Sequence, residues 1–181
     1  LLPVDVTSEL RKLQDAVPPV PYAEVRPVIE RELGDSVERV FRDFQETPIA
    51  AASIAQVHRA TLLSGKDVIV KVQRPGIDQV VALDLEILKD LASFVDKRVP
   101  KGRNYGFTSM AEEFAATMRD ELDFRLEADN MDHFKATLAR ADGIRVPEVS
   151  WLHTARRVIT MEYVDGIRAN DLAGLRAAGV D

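Results

Sequence analysis

Lys71 stands in Val68-Ile69-Val70-Lys71-Val72, a run rich in β-branched residues that reads as a strand. With apolar neighbours on both sides, its ammonium can be held toward a cleft. Upstream, Ala50-Ala51-Ala52-Ser53-Ile54 joins two strand candidates, and its small side chains keep bulk away from whatever lies over that turn. A closely approaching backbone between two strands and a fixed cation from a neighbouring strand are what a nucleotide-phosphate site needs. Singly, an alanine run is ordinary packing and a strand lysine an ordinary solvated cation. At this spacing, with the Ser64-Gly65 turn between them, they point to phosphate.

A second group is acidic. Glu121-x-Asp123 places two carboxylates where one helical turn could let them take a metal or a lysine, or simply aid solubility. In an unbroken helix Asp123 and Glu127 share a face, while Glu121 lies about 120° around from Glu127, so the three cannot meet one atom. Gln56 and His58 alternate along one strand and should share a face; His133 and His153 are isolated. No His-x-x-x-His spacing occurs, so the histidines read as structural.

The elements that must position these residues follow from period and punctuation. Thr7 to Ala16 opens on a hydroxyl N-cap with Leu10 and Leu13 three apart, predicting a short helix ended by Val17-Pro18-Pro19-Val20-Pro21. Tyr22 to Leu33 carries Val25, Val28, Ile29 and Leu33 at helical spacing, with Gly34 where a left-handed cap belongs and Pro27 placed in the first turn. VERVFRDF, IAQVHRATL and DVIVKVQ predict three strands. The helical period returns from Ile77 to about Arg98, with Ile77, Val81, Leu88, Leu91 and Val95 on one broad face interrupted by Asp84, and again from Phe107 to Arg140 as one long helix or two joined ones. Val149 to His153 and Arg157 to Glu162 are the last strand candidates, and Trp151 and the phenylalanines read as core.

Composition narrows the function classes. The chain has 181 residues, 46% hydrophobic and 30% charged, which suits a globular domain that buries a sizeable core. A net charge of −6 argues against a nucleic-acid partner. With no cysteine there are no disulfides, thiolate metal sites or cysteine nucleophiles, and a reducing, cytoplasmic setting fits. The longest nearly apolar stretch, Ile49 to Val57, is too short to span a bilayer. Leu1-Leu2-Pro3 is neither a natural start nor a signal peptide, so the chain reads as a piece of a longer protein.

The chain resembles the UbiB/ADCK family of atypical kinase-like ATPases. The resemblance is carried by Leu1-Leu2-Pro3 with Glu9 to Pro19, by Ala50 to His58, by Val70-Lys71-Val72-Gln73-Arg74-Pro75-Gly76-Ile77, by Glu121-Leu122-Asp123-Phe124 with Glu127 and Asn130, and by Met161-Glu162-Tyr163-Val164-Asp165-Gly166. It implies an α+β fold: a protein-kinase-like N-lobe with an antiparallel sheet of about five strands and a long αC-type helix, plus an N-terminal helical extension and inserted helices. The divisions expected are a partial extension over 1–36, the lobe over 37–164 with its helical insertion at about 77–138, and the hinge with the start of a C-lobe over 165–181.

The resemblance further implies that Ala50 to Ile54 replaces a Gly-rich phosphate loop, with Val57 beside it. Alanine stiffens such a loop and limits its approach to phosphates. Nucleotide binding with poor protein-kinase activity is therefore expected. Lys71 would meet the α- and β-phosphates and pair with Glu127, the Glu121 and Asp123 carboxylates would face the cleft, Met161 would be the gatekeeper, and the Glu162 carbonyl and Val164 amide would bond adenine. The cofactor would be ATP or ADP with Mg2+, its metal ligands and the catalytic loop lying beyond Asp181, so this chain alone is not expected to transfer a phosphoryl group. Isoprenoid-quinone precursors, other lipids and a membrane surface reached through the parent are the further partners implied. A nucleotide- or lipid-binding pseudokinase scaffold without turnover is the rival reading.

Overall fold

The computed structural model describes residues 17–98, 106–139, 141, 143–167, 169 and 171–180. The helix expected over Thr7 to Ala16 lies outside them. The elements run α1 (Tyr22–Leu33), α2 (Val37–Val40), β1 (Phe41–Phe44), β2 (Ala50–Ala51), β3 (Ala55–Leu62), β4 (Asp67–Gln73), α3 (Ile77–Arg98), α4 (Phe107–Glu121), α5 (Phe124–Thr137), β5 (Val158–Glu162) and α6 (Leu172–Ala177). The sheet is antiparallel in the order β1-β3-β4-β5, with β2 added on β3. The expected α+β lobe is therefore present, its strands interrupted by a helical insertion between β4 and β5.

Strand alternation sorts the sheet into two faces. In the register Val57↔Lys71↔Ile159 and Arg59↔Ile69↔Met161, the paired residues share the front face. Val68, Val70, Val72, Ala60, Leu62 and Val158 share the back, and pack there against Val25, Val28 and Ile29 of α1. Helix α1 ends as expected on Gly34, whose φ of 73° is the left-handed cap and whose N–H donates to the Glu30 carbonyl. Pro27 falls in the second turn, not the first. It is exposed, as is Ala23, whose carbonyl loses a helical partner on the side water can reach.

Three further expectations are corrected. Val37 to Val40 is a helical turn: Val37 and Val40, three apart, are both buried in the α1 core while Glu38 and Arg39 face water, and the strand begins only at Phe41. Val149 to His153 is not a strand. Only Val149 bridges to Met161, and residues Trp151–His153 turn as a 3-10 helix closed by Ser150 and Thr154 side-chain bonds to His153 Nδ1 and the Ser150 carbonyl. The reading of Trp151 and the phenylalanines as core holds for Phe41 and Phe124 but fails for Trp151, Phe94, Phe107, Phe114 and Phe134, all exposed. Trp151 instead donates its indole N–H to Asp132 at 2.8 Å.

On α3 the buried positions are Leu85 and Ala92, with Leu91 exposed. This helix lies on α4 rather than on the sheet, so one narrow stripe is covered. The two helices form a hairpin pinned by Asp96, which accepts from the backbone N–H and hydroxyl of Thr108 at 2.9 and 2.6 Å. Those bonds hold the Asp96 carboxyl below its ordinary range.

Gln56 and His58 do share a face, the back one, and are fully buried. Gln56 accepts from the Val20 N–H at 2.9 Å and donates to the Val20 carbonyl at 3.2 Å, mimicking a strand pair with the Pro-rich linker. His58 Nδ1 lies 2.8 Å from the Gln45 carbonyl and so must donate; Nε2 then accepts from Gln56 at 2.9 Å. Burial lowers the His58 pKa against the raising effect of the Gln45 bond. A depressed histidine pKa means the unfolded chain takes up the proton first, so stability is complete above about pH 6.5, the unfolded value, and falls as pH drops from there toward the folded pKa. His153, also lowered by burial, acts in the same direction. Urea midpoints should fall between pH 7.5 and 5.5, and His58→Asn should flatten that slope; an unchanged slope would remove His58 from the account.

Candidate functional site

The front face of the sheet is closed at one end by α5 and open at the other. Phe124 and Ala128 of α5 pack with Ala55, Ile159 and Met161, and Ile54, Ile69 and Met131 close the edge of that cluster. Beside it Lys71 rises from β4 toward α5. Its Nζ lies 2.6 and 2.9 Å from the two carboxylate oxygens of Glu127, and 4.7 Å above the centre of the Phe124 ring. The pair is half-shielded, the Lys71 side chain 27% and the Glu127 side chain 38% exposed. A cation gripped by one carboxylate and backed by a ring keeps its remaining direction open toward the cleft.

That cleft has a volume of about 610 Å³, and its lining includes Lys71, Glu121, Asp123 and Glu127 together with Asp120 and Asn130. The sequence expectation had the carboxylates of Glu121 and Asp123 on one helical turn. The structure corrects this: α4 stops at Glu121, and Asp123, extended at φ −121° and ψ 95°, is the N-cap of α5. Asp123 accepts from the Arg125 backbone N–H at 3.1 Å and from its guanidinium at 2.8 Å, and this hydrogen bonding to Arg125 holds its carboxyl below the usual range. Glu121 and Asp123 thus reach the cleft from two different helices. Asp120 was not among the expected residues; only its position beside the elbow could have suggested it.

The Ala-rich segment is a tight hairpin rather than a free loop. Ala50 and Ala51 pair with Val57 and Gln56, and the Ala52 N–H donates to the Ala55 carbonyl at 2.8 Å, leaving Ser53 and Ile54 at the tip. The Ile54 carbonyl accepts from the Arg74 N–H, so the hairpin is tied back to the end of β4. Within β5 Met161 is buried, and just beyond the strand Val164 is exposed. Glu162 turns its side chain away to Arg145, 2.5 Å away, and to the Glu148 N–H, which together hold its carboxyl below the usual range.

Residues 12–181 match the model of the ABC1 atypical kinase-like domain. The chain belongs to this family. Among its relatives, an uncharacterised protein of Mycobacterium tuberculosis is 46% identical over 97% of the chain, which spans 36% of that protein. The probable protein kinase UbiB of Marinobacter nauticus is 38% identical over 100% of the chain and 33% of its own length. ACTIVITY OF BC1 COMPLEX KINASE 8 of Arabidopsis thaliana, a chloroplastic protein, is 40% identical over 100% of the chain and 24% of its own length. Among solved structures, Rv3197 of Mycobacterium tuberculosis, in complex with erythromycin, superposes with a TM-score of 0.72 at 30% identity over 92% of the chain and 41% of its own. The chain therefore spans about a third of these relatives. No helix of the described residues is long and apolar enough to cross a membrane.

Proposed function

We propose that this ABC1 domain segment is the ATP-binding lobe of an atypical kinase or ATPase whose parent supports isoprenoid-quinone synthesis or lipid homeostasis, the role the UbiB resemblance implies. The observation that carries the reading is the Lys71–Glu127 pair, with both carboxylate oxygens within 2.9 Å of one ammonium at the mouth of a cleft. In kinase-like sites this pair places a lysine on the α- and β-phosphates. The adenine would lie against the front face, near Val57 and Ile69, with Met161 behind it and the Glu162–Val164 backbone at its edge. The hairpin of Ala50, Ala51, Ala52, Ser53 and Ile54 would cover the phosphates.

Mg2+ would accompany the nucleotide. Among the described residues no three His, Cys, Asp or Glu side chains stand close enough to share a metal ion. On this reading the chain contributes the Lys71 ammonium and the hairpin backbone to a Mg-nucleotide, and bound metal would neutralise phosphate charge.

Calorimetry on the full-length protein tests the assignment. Lys71→Ala should weaken Mg-ADP binding by about 10- to 100-fold, the worth of a charge-assisted hydrogen bond. His133→Ala, altering an exposed ring bonded to the Asp129 carbonyl of its own helix, should leave it unchanged. Equal binding by both variants and the parent would sink the assignment.

A further inference from the structure

Two successive inward residues of β4 reach the same helical elbow. Lys71 holds Glu127 of α5; Gln73, next on the front face and 1% exposed, donates from Nε2 to the Leu122 carbonyl at 2.7 Å, with the Arg156 carbonyl at 3.5 Å. Leu122 and Asp123 are the two residues between α4 and α5, and Glu121 is the last residue of α4. The backbone reinforces the junction, since the Gln73 N–H donates to the Arg157 carbonyl and the Phe124 N–H to the Arg156 carbonyl, both at 2.9 Å.

We propose that Gln73 is a positioning residue that locks α5 against the sheet and so holds the Lys71–Glu127 pair closed, whether or not nucleotide is present. The inference rests on the nucleotide reading of that pair. In kinases, sites of this type are switched by moving the helix that bears the glutamate. Here the elbow at the root of that helix has its carbonyl held by a buried amide. Any withdrawal of Glu127 that displaces the elbow would break that bond and leave a buried amide without its partner. Withdrawal of this helix therefore carries the cost of that bond, which favours the closed pair.

A double-mutant cycle in the full-length protein, read as Mg-ADP affinity, tests this. Gln73→Met keeps the side-chain shape and loses the donor; it should weaken binding by about 5- to 10-fold in the wild-type background. In the Lys71→Ala background it should add less than about twofold, because the lysine it positions is gone. Gln73→Asn, with its donor drawn back by one methylene, should fall between, and it carries the same cycle if Gln73→Met does not fold. If Lys71→Ala weakens binding while Gln73→Met leaves it unchanged, Gln73 positions nothing. The same loss in both backgrounds would mark general destabilisation and overturn the proposal as well. If Lys71→Ala itself has no effect, the nucleotide reading fails and this inference with it.

Discussion

Replacing Phe124 by alanine is expected to remove about 3–5 kcal/mol of stability, the range for deleting a buried ring that neighbours cannot collapse to fill. Phe124 is 1% exposed and belongs to the front-face cluster with Ala55, Ala128, Val149, Ile159 and Met161. Domains of this size are stable by only about 5–15 kcal/mol, so this one substitution should move the urea midpoint far. The ring also backs the Lys71 ammonium, so the damage should not be confined to packing. Phe124→Leu, which restores much of the volume without an aromatic face, should recover stability more fully than it recovers nucleotide binding. If the two recover in parallel, the ring serves packing alone and its cation–π contact with Lys71 contributes nothing to the site.

The second large effect separates the ion pair as scaffold from the ion pair as site. Exchanging the two charges, Lys71→Glu with Glu127→Lys, should cost no more than about 2 kcal/mol of stability, because a half-shielded pair contributes little net stability in either orientation and the contact with the Phe124 ring is worth about 0.5–1 kcal/mol. Mg-nucleotide affinity should nevertheless fall by about 100-fold or more, since the strand position would then present a carboxylate to phosphate oxygens. A charge-exchanged protein that binds nucleotide as the parent does would show that the pair merely joins α5 to β4.

The sequence made the sheet readable because β-branched alternation and a Gly-bearing turn agree with one another from Ala55 to Gln73. Lys71 was legible for the same reason: a lone cation in an apolar strand has few places to go. The elbow at Leu122 was not. Asp123 suits a helix surface and an N-cap alike, and the bonds that hold the break come from residues distant in the chain, Gln73 to the Leu122 carbonyl and the Phe124 N–H to the Arg156 carbonyl. Val37 to Val40 misled because two valines three apart satisfy a helical turn as well as a strand edge, and the α1 core selected the turn. The exposed phenylalanines of the α3–α4 hairpin could not be told from core by type, since exposure depends on what lies opposite.

The helical insertion between β4 and β5 has a consequence for the order in which the chain can assemble. Lys71 and Glu127 are separated by 56 positions, and Gln73 and Arg156 by 83, whereas β3 and β4 are joined by a tight turn. Closing the longer loop costs entropy before any contact repays it. Helices α3 and α4 carry their contacts mainly with each other, so they can form locally and shorten the loop before β5 arrives. The lysine is thus in place on an early hairpin, while its glutamate comes only with the return of the chain. The pairing that defines the cleft therefore depends on long-range closure of the chain, and a lost β5 would weaken it.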